Sequence, residues 1–272
     1  MTPVDRDAGA ESAAFAQLNS GTGAGLEPAR GSQQVNDGTV LAGPVGEANL
    51  GAMCARYSLS HGDLSLAEVF DLADVPHVEP RWNVAPTQTA PVVVEGPRGV
   101  RRVEPMRWGL VPSWADDPAI GNRMINARAE TAAAKPSFRA AMRSRRCLVP
   151  ADGFYEWMSE GGAKQPVHVR RTDRSVFAIA GLWETWTKGE RPLETFTILT
   201  TEPNDILRPV HDRMPVILAP ADFALWLDPE TRDADRVAPL LKPCPPQGWE
   251  AVPVSRFVSD SRHEGPACLE PR

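Results

Sequence analysis

The chain lacks most of the features that assign a protein at a glance. Of its 272 residues only four are cysteine, Cys54, Cys147, Cys244 and Cys268, and no two stand in C-x-x-C spacing. A zinc ribbon, a thioredoxin motif and a disulfide scaffold are thereby excluded, and reduced thiols in a cytoplasm are expected. No apolar run approaches the ~18–20 residues of a membrane span. The opening MTPVDRDAGAESAAF has no basic flank ahead of an apolar stretch, so it is not a secretory signal. No glycine-rich phosphate loop occurs, and no His, Asp and Glu set has metal-ligand spacing. No metal and no cofactor are expected. Residues 1–52 lack aromatics apart from Phe15 and hold nine of the 21 glycines. With no sustained period of 2 or 3.6, such a segment cannot bury enough apolar area to offset its ordering entropy. It reads as a disordered leader ahead of a domain at 53–272.

From Met53 onward the composition becomes globular and includes all eight tryptophans. Overall, 42 % of residues are hydrophobic and 24 % charged, enough for a real core. The net charge of -6 argues against nucleic acid only until it is divided along the chain. Residues 1–52 carry -4, residues 53–219 carry +1 and residues 220–272 carry -3. Arg139, Arg143, Arg145 and Arg146 cluster in the middle segment. Phosphate binding needs a local basic surface rather than a high global pI; a solvated helix face explains such a cluster equally well.

Alternation and β-branched content predict strands at Pro91–Glu95, Val100–Trp108, Cys147–Pro150, Gly153–Met158, Val167–Arg171, Val176–Trp183, Phe196–Thr201, Pro215–Leu218 and Glu250–Val254. Helices are expected at Ser65–Ala73, with Ser65 and Glu68 as a capping box, and at Ser137–Arg145, Pro220–Leu227 and Asp235–Leu241. Many short strands with scattered helices imply an α+β single domain. Its core would be a curved, mainly antiparallel, barrel-like sheet with peripheral helices. The 27 prolines favour edges, turns and long connections over regular βαβ units.

Four segments could carry chemistry. Cys54 follows a methionine at the boundary between leader and domain. A buried structural thiol is the plain reading of a lone Cys. If the chain began at Met53 and lost it, Cys54 would present a free amine beside a thiol. That amine, with an ordinary pKa of about 7.7–8.0, can attack an aldehyde, and the thiol can then close a thiazolidine ring. An internal Cys cannot, because its nitrogen is an amide. Asn126, Arg128 and Glu130 alternate and would share one face of an extended segment, suited to phosphate or sugar oxygens; a surface ion pair is the alternative. Glu156 stands among Phe154, Tyr155 and Trp157, where desolvation would raise its pKa and suit it to acid–base work. Neighbouring strand residues face opposite ways, so Glu156 and Trp157 share a site only if the strand ends or bulges there. His211, between Pro209 and Pro215, is held rather than floppy and is a natural proton shuttle, or else a hydrogen-bonded loop histidine.

Six segments occur in the order found in one family: Met53–Tyr57, Asn83–Thr87, Arg107–Trp114, Asn126–Thr131, Cys147–Trp157 and His211–Pro215. They resemble the SRAP family (SOS response-associated peptidase), abasic-site processing proteins, over about Met53 to Val254. The resemblance implies binding of single-stranded DNA at an abasic site and a covalent thiazolidine cross-link with the sugar aldehyde through an N-terminal Cys. It makes Cys54 the nucleophile, Asn126 and Arg128 the holders of the sugar and its phosphate, Glu156 the acid–base carboxylate and His211 the group that assists ring opening. Arg56 and Trp157 match backbone and base-stacking contacts, and Asn83 is placed with them in DNA binding. The family name also carries a peptidase activity, on the idea that members remove residues ahead of the Cys; lyase activity is a further expectation. A monomer in the cytoplasm, associated with the nucleoid and with no membrane contact, follows. Two features depart from the pattern: Ala55 stands where the family usually has Gly, and the leader blocks the Cys54 amine. Either Met53 is the true initiator or the leader is cut off. Two other functions compete: a thiol peptidase using Cys54, His211 and Glu156 on proteins, and a non-catalytic single-strand binding module.

Overall fold

The computed structural model describes residues 54–74 and 77–272; the expectations for residues 1–52 lie outside them. In chain order the described elements are β1 (Tyr57–Leu59), α1 (Asp63–Phe70), β2 (Arg81–Val84), β3 (Thr89–Glu95), β4 (Arg101–Trp108), β5 (Asn126–Arg128), α2 (Ala129–Ala132) and α3 (Arg139–Ser144). There follow β6 (Arg146–Ala151), β7 (Gly153–Glu160), β8 (Ala163–Arg171), β9 (Phe177–Trp186) and β10 (Leu193–Thr201). The last are β11 (Met214–Pro215), β12 (Ile217–Leu218), α4 (Phe223–Leu227), α5 (Ala234–Val237) and β13 (Trp249–Pro253).

Strands β3, β4, β10, β9 and β6 pair in a closed ring, a five-stranded barrel within the larger, eight-stranded sheet. Closure removes the exposed edges of those strands. Every pairing in the ring is antiparallel except β4 with β10. Short β5, β11 and β12 add to β10 and β9. The other sheet is antiparallel, in the order β13-β8-β7-β1-β2. The expected barrel-like α+β fold is therefore what the chain adopts.

The period of 2 places the core. Val92 and Val94, Cys147 and Val149, and Ile179 pack with Tyr57, Phe154, Val167 and Val169 of the five-stranded sheet. The intervening Val93, Leu148, Ala178 and Ala180 pack instead against Leu66, Phe70, Phe223 and Trp226 of the helices. Strands β3, β6 and β9 thus bury both faces, one against the sheet and one against helices, which is why these runs read as largely apolar, whereas β4 stays polar and part-exposed.

All four expected helices are present with shifted starts: α4 begins three residues late, after a 3-10 turn at Pro220–Asp222, α5 one residue early, and α1 and α3 each differ by two. Helix α1 begins at Asp63, with Gly62 as its N-cap in extended conformation, so Ser65 lies inside the first turn and caps nothing. It ends at Phe70, three residues before the expected end, with Asp71 as C-cap at a left-handed φ of 51°. Helix α3 spans only Arg139–Ser144 after Phe138. Phe138, buried in the core, occupies the N-cap position in place of the expected Ser137 and supplies no side-chain cap. Strands β1 and β2 escaped prediction because three or four residues carry too little periodicity. At Gly109, φ is 126° and an added Cβ would meet the Gly121 carbonyl oxygen at 2.5 Å. Only glycine allows this crossing, which leads the chain from the end of β4 into β5.

Candidate active site

Strand β1 and the residues before it lie antiparallel to β7, with Tyr57 opposite Phe154 and Ser58 opposite Gly153. The Tyr155 N–H donates to the Arg56 carbonyl and continues the ladder. Extending it brings Cys54 to Glu156: the Cys54 N–H donates to Glu156 Oε1 at 2.8 Å. Cys54 itself has φ of 46°, a left-handed turn rare for a residue with a side chain, and is 2 % exposed. Burial pushes the Cys54 thiol well up, and the Glu156 charge beside it adds to the shift. Burial likewise raises the Glu156 carboxyl, only partly offset by its hydrogen bonds from Cys54 and by the nearby His211.

Strand β7 runs in unbroken register with β8, Glu156 opposite Val167 and Trp157 opposite Pro166, so there is no bulge. Tyr155 and Trp157 pack with Val254, Val258 and Cys268, whereas Phe154 packs toward the barrel. Glu156 shares the Phe154 face, and Trp157 lies on the other side of the sheet.

Asn126 and Arg128 lie on one side of β5, which pairs with β10 at Ile198 and Thr200, while Ala127 between them is buried in the helical core. Glu130 does not continue the alternation, because α2 has begun by then. Its carboxylate instead takes both ends of the Arg213 guanidinium, Nη1 to Oε1 at 2.5 Å and Nη2 to Oε2 at 2.8 Å. Arg213 Nη2 also donates to the Thr200 carbonyl at 2.6 Å. The hydrogen bond from Arg213 holds the Glu130 carboxyl below its ordinary range. His211 is half-buried. Its Nδ1 accepts the Arg213 N–H at 3.2 Å and lies 2.8 Å from Asp212 Oδ1. One nitrogen serves one partner at a time: unprotonated it accepts from the backbone, protonated it donates to Asp212. The charges of Arg213 and Asp212 are near enough to act on the Cys54 thiol, and that of His211 on Glu156.

Arg56 and Asn83 have another setting. Arg56 is 7 % exposed and Asn83 is fully buried. Arg56 Nη1 donates to Asn83 Oδ1 at 2.8 Å and to the Val258 carbonyl at 3.0 Å, and its guanidinium lies over the Trp157 ring at 5.7 Å. Asn83 Nδ2 donates to the carbonyls of Val258, Asp260 and His263. Trp157 is half-buried, and its Nε1–H donates to Ser259 Oγ at 3.2 Å. These three side chains anchor the segment 256–264. The arginine cluster also divides. Arg139 and Arg143 are exposed, but Arg145 pairs with Glu184 at 2.7 Å. Arg146 is buried and donates to the carbonyls of Met142, Trp226 and Asp228. Arg145 and Arg146 are therefore withdrawn from any phosphate-binding surface, which corrects the reading of the cluster as one basic face.

Arg213 is the residue of the site that motif reading passed over. The only hint was its place beside His211; its link to Glu130 spans 83 residues and has no local signature.

A closed barrel flanked by a sheet, with a buried cysteine and carboxylate where the two face each other, defines an α+β protein with a thiol–carboxylate site. The chain belongs to the SOS response associated peptidase (SRAP) family, whose profile matches residues 53–261. It is 40 % identical over 223 residues to the abasic site processing protein YoqW of Bacillus subtilis, covering 80 % of this chain and 99 % of that protein. It is 32 % identical over 225 residues to the abasic site processing protein HMCES of Gallus gallus, covering 71 % of this chain and 66 % of that one. A crystal structure of a protein from Bacteroides thetaiotaomicron matches with a TM-score of 0.72 at 26 % identity, over 80 % of this chain and all of that one.

Proposed function

We propose that this chain processes abasic sites in single-stranded DNA by forming a thiazolidine cross-link through Cys54 once Met53 and whatever precedes it are removed. The observation that carries the reading is the 2.8 Å contact between the Cys54 nitrogen and Glu156. A carboxylate there can take a proton from an α-ammonium and leave the amine nucleophilic. The amine attacks the aldehyde carbon of the ring-opened sugar, a C–N bond forms, and water departs with a proton from Glu156. The thiol then adds to the C=N bond, its proton passing to the nitrogen, and a C–S bond closes the five-membered ring. His211 protonates the sugar oxygen during ring opening. Asn126 and exposed Arg128 hold the sugar and its phosphate, with the Arg213 cation beside them. Of the three further DNA contacts expected from sequence, Trp157 offers a ring face, while Arg56 and Asn83 act by anchoring the segment 256–264 beside it.

The thiol peptidase reading is disfavoured by the same geometry. A peptidase cysteine needs a lowered pKa and a cationic histidine partner, but this thiol is raised and its partner is a carboxylate. In the aminothiol route the amine attacks first, so a neutral thiol is no obstacle.

The test is incubation with abasic single-stranded DNA followed by denaturing electrophoresis. Chain beginning at Cys54 should give a stable adduct; Cys54→Ala, and chain shown by mass spectrometry to retain Met53, should not. A full yield of stable adduct from either would refute the mechanism.

A further inference from the structure

Among the described residues only three large hydrophobics are exposed, Val100, Trp114 and Phe257. Phe257 is not an isolated apolar side chain. Its ring stacks on His263 with centroids 3.9 Å apart and planes 9° apart. The His263 Nδ1–H donates to the Phe257 carbonyl at 2.7 Å, which locks the imidazole in the stacked orientation. The backbone beneath is fixed as well: the carbonyls of Val258, Asp260 and His263 all accept from Asn83, and Val258 is fully buried. The pair is therefore a flat aromatic surface that loses little freedom when a third ring is laid on it.

Its electrostatic surroundings favour an anionic chain. The two nearby carboxylates are already engaged, Asp260 by Arg262 and Glu264 by Arg81. Arg256, adjacent to Phe257, is exposed and makes no ion pair among the described residues. The platform also joins the proposed DNA surface, because Ser259, two residues from Phe257, receives the Trp157 indole N–H. An aromatic face with neighbouring cations, continuous with a half-exposed tryptophan, matches a nucleobase flanked by phosphates better than it matches an apolar peptide.

We infer that Phe257 and His263 form a base-stacking subsite for single-stranded DNA beside Trp157. The inference rests on the single-strand reading above but not on the cross-linking chemistry, so undamaged DNA tests it. Fluorescence anisotropy would compare full-length wild type and Phe257→Ala on oligothymidylate and on a strand of abasic spacers with the same number of phosphates. Removing one stacking partner should weaken oligothymidylate binding by about 5- to 100-fold, with the spacer strand within about twofold. Phe257→Trp should restore binding, and the melting temperature of Phe257→Ala should match wild type because the ring is at the surface. Oligothymidylate affinity within twofold of wild type, or equal losses on both strands, would overturn the inference. Failure of chain beginning at Cys54 to form an adduct with abasic DNA, while the Phe257 dependence persists, would instead refute the cross-linking reading and leave this one standing.

Discussion

Replacing Glu156 by Gln isolates the proton-transfer role of the carboxylate. Glutamine keeps an oxygen that can accept at the 2.8 Å position now held by the Cys54 nitrogen, and it fits the same volume. What it loses is the ability to take and return a proton. Acid–base groups contribute about 10²–10⁴-fold in rate, or roughly 3–5 kcal/mol of barrier. The Glu156→Gln variant of chain starting at Cys54 should therefore cross-link about 10²–10⁴ times more slowly in single-turnover experiments. Its affinity for DNA should hold within about twofold, since Glu156 is 2 % exposed and has no room to meet a phosphate. Stability should move the other way. Burial raises the folded-state pKa of Glu156, so its ionisation disfavours the folded state as pH rises through that value. Gln removes that term, so the variant should gain stability relative to wild type as pH rises above the ordinary carboxylate range. A rate within twofold of wild type would refute the acid–base assignment and leave Cys54 acting through proximity alone. Loss of affinity in proportion to rate would make Glu156 a binding residue.

Asp152 should show the opposite linkage. Burial by itself would raise its carboxyl, but hydrogen bonds from His61, Ser58 and Ser60 outweigh burial and bring it down to about 2. A carboxyl lowered by that amount contributes on the order of 2 kcal/mol, present above pH 4 and lost as pH falls toward 2. Thermal melts should accordingly show Asp152→Asn well below wild type at pH 6 and close to it at pH 2; a gap independent of pH would sink the linkage. The arginines should separate by salt titration. Arg128→Ala should reduce the log–log salt slope of single-strand binding by about 0.7, the share of one phosphate. Arg146→Ala should leave the slope unchanged and lower the melting temperature, because it strands three carbonyls. An equal change of slope in both would restore the cluster as a single binding face.

Much of the fold was legible because its signal is local. Val92, Val93 and Val94 sit in a short apolar run bounded by turn residues, which announces a buried strand, and in the fold they alternate between two cores. The direction of the Glu156 shift was equally legible from its aromatic stretch, although the burial that raises it comes from the packed fold and not from Tyr155 and Trp157, which face the other way. Tertiary structure decided the rest. Nothing near Arg56 or Asn83 announces that their hydrogen bonds go to carbonyls about 180–200 residues further on, where they hold the chain end and lose contact with solvent. Glu130 and Arg213 likewise meet only because β5 and β11 add to the same strand, β10. The arginines at 139, 143, 145 and 146 form one basic run in sequence, and the turn of α3 into β6 sends the last of them inward under Trp226. Residue type and spacing determined which groups could do the chemistry. Which of them face the cysteine, and which are consumed in holding distant backbone, depends on contacts between segments far apart in the chain, and those exist only once the barrel has closed.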